Sequence, residues 1–351
     1  MTADTAPAHQ DQIPRRRRWL WPVAAVGLAT IALAAFTRVG MLDLPAPPSG
    51  LSLDESGLAD LDGLKRIDDY IRGNNSPNTL QETETAEAAR LVRKGLELIE
   101  QDDAARGLEL MRDGARRAPR NLAMGNAYRM AVFDLQRKYL MSSHKSALLT
   151  PEFPPHLANQ PVAFFEKLAG EINAREVRIQ LALAWVDRML LFPALEIKAP
   201  SSVEAVDLLT ELIEGEGAGY VPALFARGMN HLHRPARLVW PESDKTPPDA
   251  AVRDIGLCVA IGREFGVGSD RLQANLAIAL GDAYVKAGRL GVARSWWQIA
   301  QNLSNEADVK DAVRRRFGWS DEEALDRLEA ELDRARSNLT DPMTDLAFMW
   351  N

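Results

Sequence analysis

Residues that carry chemistry are scarce in this sequence of 351 residues, which has one cysteine, Cys258, and five histidines. A single thiol excludes an intramolecular disulfide framework. It leaves the compartment open, because helical stacks do not depend on such bridges. No CxxCH, HExxH, P-loop or strand-associated GxGxxG occurs, so haem attachment, zinc hydrolysis of that type and nucleotide binding lack their usual signatures. The run Gly215 to Gly219 reads as a turn. Aromatic residues are also sparse, at 7%. With 46% hydrophobic residues and abundant Ala, Leu, Arg and Glu, the composition predicts an all-α protein.

Excess positive charge is missing too. The whole chain carries a formal charge of −7, and beyond Arg38 the remaining 37 basic and 47 acidic side chains leave −10. Binding a phosphate backbone requires the opposite sign, so no nucleic-acid partner is expected.

The one long apolar run lies at the amino terminus. After Arg15, Arg16, Arg17 and Arg18, the stretch Trp19 to Phe36 holds no charge. Its eighteen residues would span about 27 Å as a helix, close to the hydrocarbon thickness of a bilayer. Interfacial Trp19 and Trp21 and the arginine block predict residues 1–18 as a cytoplasmic tail and 19–37 as a single transmembrane anchor. A cleaved signal peptide with Ala32-Leu33-Ala34 as its site is the alternative. Either reading places the rest outside a bacterial inner membrane, in the periplasm. Residues 38–50, with Pro45, Pro47 and Pro48, read as a stiff linker.

Residues 51–351 read as one helical domain. The stripe Leu58, Leu61, Leu64, Ile67 and Ile71 predicts a lead-in helix ending near Gly73. Three hairpins follow, at 88–121, 221–263 and 274–307. In the last, Leu276, Leu280 and Tyr284 share a helical face, Gly288 closes the first helix, and Ala293, Trp297 and Ala300 face it from the second. Gly95, Gly107 and Gly114 in the first hairpin cost helix stability unless two backbones press together there. Further helices are expected at 122–141, from Pro161, at 172–192 with breaks at Pro193 and Pro200, and at 202–214. The apolar tail after Asp341 is expected to fold back on the last helices.

On Leu280, Gly281, Tyr284, Gly288, Ala293, Trp297 and Ala300, the 274–307 segment resembles a tetratricopeptide (TPR) repeat, with Asn305 where the family has proline. The resemblance implies a TPR-like helical-hairpin solenoid behind the anchor, with first helices lining a groove for a protein or peptide. Carried onto this sequence, the groove positions are Asn275, Ile278, Asp282, Val285 and Lys286. The polar trio Asn275, Asp282 and Lys286 suits an extended backbone. Trp240, in a proline-rich insertion between the helices of the second hairpin, is a further candidate contact.

Candidate chemistry elsewhere is weak. His231 and His233 lie two apart on a helix and point away from each other, so no metal site is expected. Ser142 to Lys145 forms an S-x-x-K without the companion motifs of penicillin-interacting enzymes, since Pro247 follows Lys245 and Thr246. Cys258 falls in a small-residue core slot. The sequence therefore predicts a membrane-tethered periplasmic scaffold or adaptor for a cell-envelope protein or peptide, without cofactor or catalysis. The alternative is an enzyme or cell-wall-binding protein with a pocket formed by the long central loops.

Overall fold

The structure, a computed structural model, describes residues 44–76, 80, 83–141, 157–191, 195–215, 217–235, 249–338 and 344–350. Among them are fourteen α-helices and no strand. They are α1 Leu53–Ser56, α2 Leu61–Ile71, α3 Glu84–Glu100, α4 Ala104–Arg117, α5 Leu122–Met141, α6 Asn159–Glu171 and α7 Arg175–Leu191, followed by α8 Leu195–Glu214, α9 Val221–His233, α10 Ala250–Phe265, α11 Asp270–Lys286, α12 Leu290–Leu303, α13 Ala307–Phe317 and α14 Ala324–Asn338. A 3-10 turn, Leu346–Met349, ends the described chain. The all-α expectation holds.

Local chemistry sets the ends of these helices. Ser52 and Glu55 form a reciprocal capping box on α1, and the Thr83 and Ser269 hydroxyls accept from backbone N–H groups at the starts of α3 and α11. Gly288 adopts a φ of 71° immediately after α11, the left-handed geometry that glycine supplies without strain. Pro200 does not break its helix; α8 runs through it.

Neighbouring helices pair in sequence, α3 with α4, α7 with α8, α9 with α10 and α11 with α12. The first pair is the tightest at backbone level. A Cβ added to Gly95 would meet the Gly107 carbonyl at 2.5 Å, and one added to Gly107 would meet the Gly95 carbonyl at 2.6 Å. The glycines therefore offset their helix cost by allowing backbone contact. In the last pair the fully buried Trp297 ring lies over Gly281 and packs edge-on against Trp319. Burying side chains of this size stabilises the stack by about 1.5–3 kcal/mol each.

Both ends of the described chain lace these hairpins together. At the amino end, Pro45 lies over Gly256 of α10, and Leu51 and Pro48 lie over Gly219 before α9. Arg175, at the start of α7, donates to the Asp54 and Glu55 carbonyls at 3.0 Å and stacks on the Tyr220 ring at 4.0 Å. At the carboxyl end, the 3-10 turn packs against α2, α5 and α9. That placement corrects the expectation that the tail folds onto the last helices. Leu346, Met349 and Trp350 are buried there, as the apolar character of the tail requires.

The transmembrane expectation finds no support. No helix among the described residues is long and apolar enough to cross a membrane, and the stretch Trp19–Phe36 lies outside them. The anchor, its topology, the signal-anchor reading, the tethering and the periplasmic placement rested on that stretch alone, and they are set aside. The insertion carrying Trp240 and the S-x-x-K at Ser142 also lie outside the described residues.

Candidate functional site

Among the described residues, three arginine–aspartate pairs are buried between helices: Arg129 with Asp187, Arg227 with Asp254, and Arg316 with Asp282. A buried charge persists only when paired and fully hydrogen-bonded. In two of the pairs, helical residues supply the partners. Arg227 forks onto both Asp254 oxygens at 2.7 and 2.8 Å and reaches Thr210. Arg316 forks onto Asp282 at 2.7 and 2.6 Å, with the Trp297 indole N–H donating to the same carboxylate.

The Arg129 pair differs, because part of its coordination comes from the tail. The Arg129 side chain, 0% exposed, donates through Nε to Gln180 Oε1 at 3.1 Å, through Nη1 to Asp187, and through Nη2 to Asn126 Oδ1 at 2.8 Å and to the Thr344 carbonyl. The Thr344 hydroxyl donates to Asp187 Oδ1 at 2.5 Å. Asn126 holds the next two residues: its Nδ2 donates to Asp345 Oδ1 at 2.7 Å, and its Oδ1 accepts from the Leu346 N–H at 3.0 Å. Arg72, the residue after α2, faces the other Asp345 oxygen at 3.9 Å. Burial pushes the Asp187 carboxyl up from its ordinary value, while Arg129 and the Thr344 hydroxyl pull it down.

In this site α5 and α7 supply the polar partners of the tail, and α2 and α9 pack against its 3-10 turn. Gln180 is held by donating to the Leu122 carbonyl at 3.1 Å, which fixes its oxygen toward Arg129. Farther along, Phe348 stacks on buried Phe225 of α9 with centroids 5.4 Å apart and rings 16° from parallel. Residues 344–350 are held through the backbone at Thr344 and Leu346 and through side chains at Thr344, Asp345 and Phe348.

The sequence-predicted groove on α11 looks different. Asp282 is the buried partner of Arg316, and Ile278 and Val285 are 8% and 4% exposed. Lys286 donates to the Leu232 carbonyl at 2.8 Å and to the Arg234 carbonyl and pairs with Glu329 at 3.0 Å. Burial lowers the Lys286 pKa against the pull of Glu329. Only Asn275 of the polar trio is half-exposed without such ties. Positions meant to face a partner are therefore turned into the stack, because α13 and α14 pack where an open groove would lie.

The remaining candidates are structural. Burial and neighbouring cations push the His231 and His233 imidazoles down to about 3, and no group of three His, Cys, Asp or Glu among the described residues could hold a metal ion. Cys258 is buried with its thiol near the Val221 carbonyl, and burial pushes its pKa up. A cleft of about 530 Å³ carries Arg120, Arg175, Arg178 and Glu211, but Arg178 pairs with Glu211 and Arg175 is committed to α1.

Asn126, Arg129, Gln180 and Asp187 were missed by the sequence reading. A signal existed. Gln180 and Asp187 bracket the apolar stretch 181–186 seven residues apart, and Asn126 and Arg129 stand three apart among Met124, Ala127, Tyr128 and Met130, spacings that put each pair on one face.

No protein family, no curated protein and no solved structure matches this chain. The TPR resemblance is corrected accordingly. The seven residues that carried it are those any close helical hairpin needs: a glycine beneath a large ring, alanines at the crossing and a glycine at the turn.

Proposed function

We propose that this domain acts by recognition, holding an extended polypeptide segment in the groove between α2, α5, α7 and α9, and that residues 344–350 are its resident ligand. One observation carries the reading. A fully buried arginine and an asparagine spend hydrogen bonds on the backbone of a segment more than 200 positions away in sequence, at Thr344 and Leu346. Backbone contacts of this kind hold a peptide, and pockets for alternate side chains select it.

A tail tethered a few residues beyond α14 has an effective concentration in the millimolar range, so it outcompetes free peptide of modest affinity. The test uses the full chain with its own tail weakened by Leu346→Asp, or more mildly by Phe348→Ser. A fluorescent peptide of residues 340–351 should bind either variant saturably and bind the unaltered chain much more weakly. Variants that keep native helicity yet bind no peptide would show that the tail is fixed core and not ligand.

A further inference from the structure

Resting on that reading of the groove, we infer that its partner in trans is a protein segment carrying a hydroxyl residue followed by aspartate and leucine, with aromatic residues four and six positions after the hydroxyl. The docked tail displays this register as Thr344, Asp345, Leu346, Phe348 and Trp350.

Each position is read by a different group. At the first, the hydroxyl must donate to Asp187 Oδ1; valine, of the same shape, would leave a buried carboxylate oxygen short of a donor. At the second, Asn126 Nδ2 donates to the carboxylate and Arg72 stands 3.9 Å from its other oxygen, so an acid is accepted and a base repelled. The same Asp345 oxygen accepts from the Ala347 N–H and starts the 3-10 turn that brings the later side chains inward. At the third, leucine is 1% exposed and takes the apolar slot. The fifth residue lies flat on Phe225 at the groove mouth, where a half-exposed aromatic is accommodated. The seventh is a tryptophan 5% exposed.

Asn126 is the residue that sets specificity. Arg129 Nη2 donates to its Oδ1, which orients the amide so that Nδ2 must face position two. Asn126 therefore works as a donor toward that side chain and as an acceptor toward the following N–H.

The experiment measures affinities of the peptide 340–351 and its variants for the full chain carrying Phe348→Ser, with Leu346→Asp as a second host. Thr344→Val and Asp345→Lys in the peptide should each weaken binding about tenfold to a hundredfold, the range for losing a hydrogen bond to a charged group. Adding Asn126→Asp to the host places two carboxylates together and should weaken the parent peptide similarly. A peptide with Asp345→Asn should restore binding to that host, which loss of fold could not mimic. If the parent peptide binds neither host, the groove reading itself fails. If it binds but the Thr344, Asp345 and Asn126 changes alter affinity less than twofold, the groove accepts segments without this sequence rule, and the inference is overturned.

Discussion

Replacing Arg129 with methionine removes the cation that α5, α7 and the tail share. Asp187, with a side chain 5% exposed, would be left as a buried carboxylate facing only the Thr344 hydroxyl, and the Gln180 oxygen and Thr344 carbonyl would each lose their donor. Breaking a buried pair on one side costs about 3–5 kcal/mol, a large part of the roughly 5–15 kcal/mol that holds a typical domain folded. Urea unfolding followed by far-UV circular dichroism should report that loss for Arg129→Met. Adding Asp187→Leu removes the stranded charge and should recover most of it, since replacing both partners by apolar groups is often nearly neutral. What stays unrecovered belongs to the Gln180 and Asn126 oxygens and to the Thr344 carbonyl and hydroxyl, so the double variant should unfold near the parent while its tail amides exchange faster. A double variant as unstable globally as Arg129→Met would refute the reasoning, because the tail would then be inseparable from the helix core.

Other consequences can be checked independently. Gly95→Ala should destabilise by about 1–3 kcal/mol through overpacking against α4, whereas Gly63→Ala, with nothing within 4 Å of the new Cβ, should stabilise by about 0.5–1 kcal/mol; thermal melts of the two variants should move in opposite directions. Asp282→Ala strands buried Arg316 and should cost about 3–5 kcal/mol in urea while leaving peptide affinity in the Phe348→Ser host unchanged. His231 and His233 titrate near 3 when folded, below their unfolded value, so the unfolded state takes up protons first and stability falls as pH drops from about 6.5 toward 3. The slope for buried His233 is up to about 1.4 kcal/mol per pH unit, with a smaller share from the more exposed His231. His233→Gln should flatten the profile of unfolding free energy against pH, and an unchanged slope would contradict the assignment.

How far the fold was legible follows from which interactions are local. The stripe Leu61, Leu64 and Ile71, the turn at Gly288 and the hairpin partners of Trp297 were readable because helical period and turn chemistry operate within a few residues. Gly95 and Gly107, costly inside helices, imply a backbone contact by their positions alone. The tail's location was not readable, because Leu346 meets Asn126 and Thr344 meets Arg129 across more than 200 residues, and nothing local to the tail encodes that junction. Asp282 and Lys286 misled for a related reason. On one helix they look like solvated polar positions, and only tertiary packing against the end of α9 and against α12, α13 and α14 engages them. The same effect exposes the limit of the repeat resemblance, since hairpin chemistry is common to many helical stacks.

The most direct measurement is native-state hydrogen exchange at the Leu346 amide, which donates to Asn126. A ligand-like tail opens on its own, so this amide should exchange with an opening free energy well below that of the α5 and α7 core amides and respond weakly to dilute urea. Exchange only through global unfolding, with the same free energy and urea dependence as those helices, would contradict the claim that the groove holds a detachable segment.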